Sequence, residues 1–253
     1  MIASGYPSDA INTEIVDVED PNFSCTNIEQ FPVGLYAATG GLINGQKPFI
    51  CGGRDYDWTH SKDCYLLTDT GSWVKDQRAT LTTSRVNAGY GSVVLNNNLV
   101  LTGGLFNLGF DYLTSIEMVS PNTTAQALLV QLPTGIYGHC QVLWDSETFL
   151  VIGGSDSFTD SDETYLINIK INQRRNGASL KTARHDHACA ELQLNGKTYI
   201  VVTGGYSDNL RAHIISTEVL DKSNVGQGWK RGEKLKFFHN ICLLDNISLY
   251  FRR

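Results

Sequence analysis

Short apolar runs alternate with polar turns along the whole chain, and no stretch keeps the three-to-four-residue apolar spacing of an amphipathic helix. Several runs end in a glycine pair: Phe49-Ile50-Cys51 before Gly52-Gly53, Val100-Leu101-Thr102 before Gly103-Gly104, Leu150-Val151-Ile152 before Gly153-Gly154, and Val201-Val202-Thr203 before Gly204-Gly205. The first glycines stand at 52, 103, 153 and 204, giving steps of 51, 50 and 51 residues. One step earlier, Met1-Ile2-Ala3-Ser4-Gly5 fits with Ser4 in place of a glycine. A constant period of this size marks stacked supersecondary units. Two residues without Cβ at a strand end allow a turn through positive φ or close packing on a neighbour.

Each unit reads as four strands. In the unit holding Gly103 they fall at 90–95, 99–102, 116–119 and 127–132, with a turn at Asn96-Asn97-Asn98. The next unit gives 140–144, 149–152, 164–169 and a weaker fourth strand at 178–181. The one after gives 188–192, 199–203, 214–220 and 228–236, with the hairpin dipeptide Asn195-Gly196 between its first two strands.

Beyond the glycines, Tyr65 and Trp73 follow Gly53, Tyr165 follows Gly154, Trp229 follows Gly205, and Arg184 and His187 precede a first strand. In this the chain resembles the kelch repeat family, over almost its whole length. The unit around Gly103 lacks both the Tyr and the Trp, and the unit around Gly153 lacks the Trp. The resemblance implies an all-β, kelch-type β-propeller of four-stranded antiparallel blades. One domain spans 1–253, with a partial blade at 1–31, blades at about 32–84, 85–134, 135–184 and 185–236, and a partial blade at 237–253. Both ends fall inside blades. A five-bladed ring closes if 238–244 pairs beside 1–5; otherwise the chain is an incomplete part of a six-bladed ring, which is the favoured reading because kelch rings usually have six or seven blades.

At 42% hydrophobic and 18% charged, the 253 residues suffice for a large core and lack the charge excess of disorder. A net charge of −6 without a long basic run argues against nucleic acid. No apolar run approaches the ~18 residues of a membrane span, and residues 1–20 lack the pattern of a secretory signal. The six cysteines change the picture of compartment. Cys51 and Cys64 would face each other across a hairpin, within disulfide reach. Cys140, Cys189 and Cys242 each fall on a blade's first strand and read as buried thiols, and Cys25 has no obvious mate. Asn22, Asn122 and Asn246 begin glycosylation tripeptides. The Cys-Gly-Gly pattern with its downstream Cys is similar to secreted kelch proteins of invertebrates, so secretion is expected over a cytoplasmic location.

Candidate chemistry lies in the loops after the glycines. Arg54, Tyr56, Trp58 and His60 form one group, Phe106 and Phe110 a second, and Tyr206, Arg211 and His213 a third. Aromatics with arginine are the residues that dominate binding interfaces, and in the kelch resemblance these loops help form the partner-binding face. His185-Asp186-His187 puts two imidazoles on one side of an extended segment, but no third metal ligand is evident in sequence. The acidic stretch Asp156, Asp160, Asp162, Glu163 lacks calcium-loop spacing and reads as a solvated loop. Nucleophile-elbow, P-loop and zinc-protease motifs are missing. The expected function is a non-catalytic module binding a protein or glycan, without cofactor or metal. The alternatives are a copper oxidoreductase like galactose oxidase, whose ligands come from scattered segments, and an intracellular kelch adaptor or actin-binding protein.

Overall fold

The computed structural model describes residues 2–3, 13–16, 25–91, 93–106, 111–156 and 158–234. The proposed ring-closing segment 238–244 lies outside them, as do Phe110, Cys242, Asn22 and Asn246. A first, three-stranded sheet joins β1 (Ile2–Ala3), β2 (Thr13–Val16) and β3 (Cys25–Ile28). A four-stranded sheet follows, of β4 (Thr39–Ile43), β5 (Lys47–Cys51), β6 (Asp63–Leu67) and β7 (Trp73–Thr80). Next come β8 (Val94–Leu95) and β9 (Asn98–Thr102), a separate hairpin of β10 (Leu105–Phe106) and β11 (Asp111–Tyr112), then β12 (Ile116–Val119) and β13 (Gln126–Ala127). β8, β9, β12 and β13 form one sheet. β14 (Cys140–Leu143), β15 (Thr148–Ile152), β16 (Thr164–Asn168) and β17 (Gln173–Asn176) form another. The last comprises β18 (Ala188–Leu194), β19 (Lys197–Thr203), β22 (Ser216–Asp221) and β23 (Lys230–Lys234), with the hairpin β20 (Tyr206–Ser207) and β21 (Ala212–His213) emerging between β19 and β22. All pairings within these sheets are antiparallel, and the order is sequential, a propeller-like arrangement.

The central strands explain how the sheets stack. Leu99 and Leu101 of β9 pack with Phe49 and Cys51 of β5, whereas Val100, pointing the other way, packs with Phe149 and Val151 of β15. On β15 the alternation repeats: Leu150 and Ile152 meet Ile200 and Val202 of β19. Successive side chains on a strand face opposite sides, so a continuous apolar run such as Thr148–Ile152, buried at every position, suits a strand with a neighbouring sheet on each face. Each fully buried Val, Leu or Ile contributes about 1.5–3 kcal/mol.

The glycine pairs stitch one sheet to the next. Gly53 N donates to Arg85 O at 2.9 Å, Gly104 N to Ile136 O at 2.8 Å and Gly154 N to Arg184 O at 2.9 Å. The first glycine abuts the same carbonyl: a Cβ on Gly103, whose φ is +58°, would lie 2.5 Å from Ile136 O. Any side chain there would separate the sheets. The sequence period is therefore the period of these close inter-sheet contacts.

The two units that depart from the Tyr pattern share a substitution. Glu117 and Glu218 occupy the place of Tyr65 and Tyr165, each two residues before the first glycine in strand register. Arg85 donates to Gly103 O, Ser115 O, Ser115 Oγ and Glu117, and Arg184 makes the same set to Gly204 O, Ser216 O, Ser216 Oγ and Glu218. Both ion pairs are almost wholly buried. In the Tyr units the arginine position carries Leu35 and Ile136 instead, both buried. Leu–Tyr, Arg–Glu, Ile–Tyr and Arg–Glu thus alternate from sheet to sheet. The tryptophans brace the outer strands against the preceding sheet: Trp73 Nε1 donates to Thr13 Oγ1 at 3.0 Å and Trp229 Nε1 to Ala178 O at 2.8 Å.

Three expectations are corrected. Cys140 and Cys189 are not separate thiols: they form a disulfide between neighbouring inner strands, with Cα atoms 5.9 Å apart. The fourth strand expected at 178–181 lies at β17, because the Asn168 side chain accepts bonds from Lys170 N and Ile171 N and turns the chain early. In the preceding unit the expected 127–132 strand shrinks to β13. The expected Cys51–Cys64 disulfide is present, joining directly paired residues of β5 and β6.

Candidate functional site

Strand two of each unit ends at the glycines on the same side as the linker entering strand one, and the glycine stitches keep successive sheets in one orientation. The excursions after the glycines therefore share a face. Each is a hairpin tied at its base to that linker, through the bridges Tyr36–Arg54, Val86–Leu105, Tyr137–Ser155 and His185–Tyr206. Arg54–His60 and Ser155–Asp160 close their hairpins, as β10–β11 and β20–β21 do in the other two units.

Three of these hairpins carry large, exposed apolar side chains at their tips. Tyr56 is 74% exposed, Trp58 57%, Phe158 89% and Leu210 64%. Side chains of that size leave much apolar area in solvent at such exposure. Trp58 has φ +65° and Arg211 φ +50°, so the turns are tight rather than loose. Arg54 lies between Tyr36 and Trp58, its guanidinium 4.5 Å and 3.8 Å from the two ring centroids. His60 is half-buried beside it, its pKa lowered by burial and by Arg54. Tyr56, His60, Lys62, Asp63 and Tyr65 line a cleft of 450 Å³ at the foot of this hairpin. Phe106 is half-buried in β10.

A second cluster runs along the same face. Ring centroids follow one another from Tyr112 to Tyr137 at 5.4 Å, to His185 at 5.7 Å, to Tyr206 at 5.7 Å and to His213 at 5.2 Å. His185 Nδ1 lies 2.7 Å from Asp160 Oδ1, and its Nε2 3.6 Å from Asp186 Oδ2. Asp208 N donates to Asp160 Oδ2 at 2.5 Å. One potential ligand atom each from Asp160, His185 and Asp208 lies within 4.8 Å of the others. The Asp186 carboxyl is raised above its ordinary pKa, first by burial and further by Asp160 and Asp208, against the opposing pull of His185. Burial, then the carboxylates Asp186 and Asp208, raise the Tyr137 hydroxyl.

These placements revise the sequence reading. Asp160 is no part of a solvated loop: it is buried, held by His185 and the Asp208 amide. His185 and His187 do not act together, because His187 is fully buried against the Gly153 and Gly205 turns, as His139 is against Gly103 and Gly154. The third residue absent from the sequence reading of His185 is supplied by Asp160 and Asp208. Phe158, Leu210, Tyr137 and Asp208 were not singled out in sequence. Counting from the second glycine of each pair would have found the tips, since Trp58, Phe158 and Leu210 follow it by five, four and five residues.

No protein-family model matches the chain, and no curated protein matches it significantly. Among solved structures, the structure of YjhT superposes with a TM-score of 0.73 at 14% identity, covering 89% of this chain and 78% of that one. The likeness is one of fold. Because 179 chains of known structure align significantly, the architecture alone does not narrow the function. No helix among the described residues is long and apolar enough to cross a membrane.

Proposed function

We propose that the chain is a kelch-type β-propeller acting as a non-catalytic binding module, which presents its post-glycine hairpins to a protein partner outside the cell. The carrying observation is that three separate hairpins place large exposed apolar side chains, Trp58, Phe158 and Leu210, at matching positions on one face. Repetition at one register is not what scattered exposed residues give. Aromatic tips with Arg54 beside them have the make-up of interface anchors. A spread of separate tips suits a broad protein surface better than a compact glycan. The two disulfides fit an oxidising compartment.

The test combines Tyr56→Ser, Trp58→Asn, Phe158→Ser and Leu210→Ser, with Asn chosen because it tolerates a left-handed turn. Partners captured by the wild-type protein from extracellular fluid, identified by mass spectrometry, should be lost by the variant, while its stability stays within about 1 kcal/mol, as for surface changes. Undiminished capture, or a large loss of stability, would refute the reading.

A further inference from the structure

The arc from Tyr112 to His213 gathers three carboxylates around one imidazole. Asp160, Asp186 and Asp208 converge on a single imidazole, His185, and among the described residues none of the three pairs with a lysine or arginine. The ion-paired acids elsewhere meet a cation: Glu117 and Glu218 an arginine, Asp63, Asp69, Glu147, Asp221 and Glu191 a lysine. Around these three carboxylates stand the faces and edges of Tyr137 and Tyr206, both half-buried and with rings 5.7 Å from that of His185. Carboxylates supply negative potential, and a tyrosine ring adds the negative face of its quadrupole. Such surroundings favour a cation with some apolar surface, which is the description of a guanidinium or ammonium on its methylene stem.

We propose that this arc binds a basic side chain, arginine or lysine, of a protein partner. The cation docks on the outer side of the Tyr137–His185–Tyr206 row with Asp208 and Asp186 at its edge, and Asp160 orients His185 through Nδ1. The inference rests on the binding-module reading only for the source of the side chain; Asp208 shares a hairpin with Leu210, but the arc is tested with a small peptide and its own variants, so the two can fail separately.

The test needs no natural partner. A capped pentapeptide with a central arginine, and its counterpart with citrulline, which is neutral and nearly the same shape, are titrated into the whole chain and followed by NMR. The arginine peptide should bind at least about tenfold more tightly than the citrulline peptide, as a partly desolvated cation–aromatic and carboxylate contact implies. Asp208→Asn and Tyr206→Leu should each weaken it severalfold, added salt should weaken it further, and Trp58→Asn should leave it unchanged. Asp208→Asn keeps the backbone bond to Asp160, so loss of fold is not an escape. Equal binding of the two peptides, no saturable binding, or indifference to Asp208→Asn and Tyr206→Leu would overturn the proposal. So would binding of zinc ions alone at the arc with the arginine peptide excluded, which would make the arc a metal site.

Discussion

Replacing Glu117 by Gln tests the idea that two chemistries fill one position in alternate units. Glu117 is 1% exposed and Arg85 0%, so the substitution leaves a buried guanidinium without its counter-charge. The carboxylate also accepts from Thr82 N at 2.8 Å and Thr83 N at 3.2 Å, and an amide cannot serve these donors and Arg85 together. Breaking a buried pair at one partner costs about 3–5 kcal/mol. With about 2–4 °C per kcal/mol for chains of 150–250 residues, the melting temperature should fall by about 6–20 °C. Rebuilding the site as its neighbours have it, with Arg85→Ile and Glu117→Tyr together, removes both charges and imports the Ile136–Tyr165 pairing. Apolar replacement of a buried pair is often neutral, so the double variant should recover most of the loss. Thermal unfolding followed by circular dichroism measures all three proteins. A loss below about 1 kcal/mol for Glu117→Gln, or a double variant no more stable than the single one, would refute the equivalence.

Two further outcomes follow from buried groups. Burial holds His139 and His187 at a pKa of about 3, far below 6.5. Folded imidazoles with lowered pKa bind fewer protons than unfolded ones between about pH 6.5 and 3, so stability is full above pH 6.5 and declines as pH falls through that window. His187→Ala, which copies Ala38 and Ala88 at the same place in other units, should make stability less dependent on pH between 7 and 4; denaturant titrations with an unchanged slope would count against it. The Cys140–Cys189 bond closes a segment with a separation of 49 residues, against 13 for Cys51–Cys64. Chain-entropy arguments give about 4 and about 3 kcal/mol. Unreduced tryptic digests should therefore yield the two cross-linked peptides, and Cys140→Ala with Cys189→Ala should destabilise the protein more than the pair at 51 and 64 changed likewise.

Much of the fold is legible in sequence because its strongest constraint is local. The glycine pairs mark where a backbone carbonyl of the next sheet arrives, and the strands before the two middle pairs, β9 and β15, read as apolar runs because a neighbouring sheet buries each of their faces. Cys51 and Cys64 could be matched because strand register alone sets them opposite. Cys140 and Cys189 could not, since their approach depends on how two inner strands splay across an inter-sheet boundary. The missing Tyr of the Gly103 unit reads as a gap in sequence because the partner of Glu117 is Arg85, more than thirty residues upstream, and the same distance hides the Arg184–Glu218 pair. Outer strands such as Gln173–Asn176 are exposed throughout and carry no alternation to read. At the candidate site, composition picked out Trp58 and Tyr206, but Asp160 was misjudged because an acidic run says nothing about which member turns inward.

The hairpins are anchored at their bases by main-chain bridges that do not depend on side-chain identity, while their tips contribute little to holding the sheets together. Such a division separates what can change from what cannot. Descendants of this chain can exchange Trp58, Phe158 or Leu210 for other residues without first acquiring compensating stability elsewhere, and under the proposed function each exchange would alter partner preference. For the same reason a foreign loop grafted between Ser155 and Asp160 should inherit a defined entry and exit. The molecule is, in that sense, already laid out as a display scaffold.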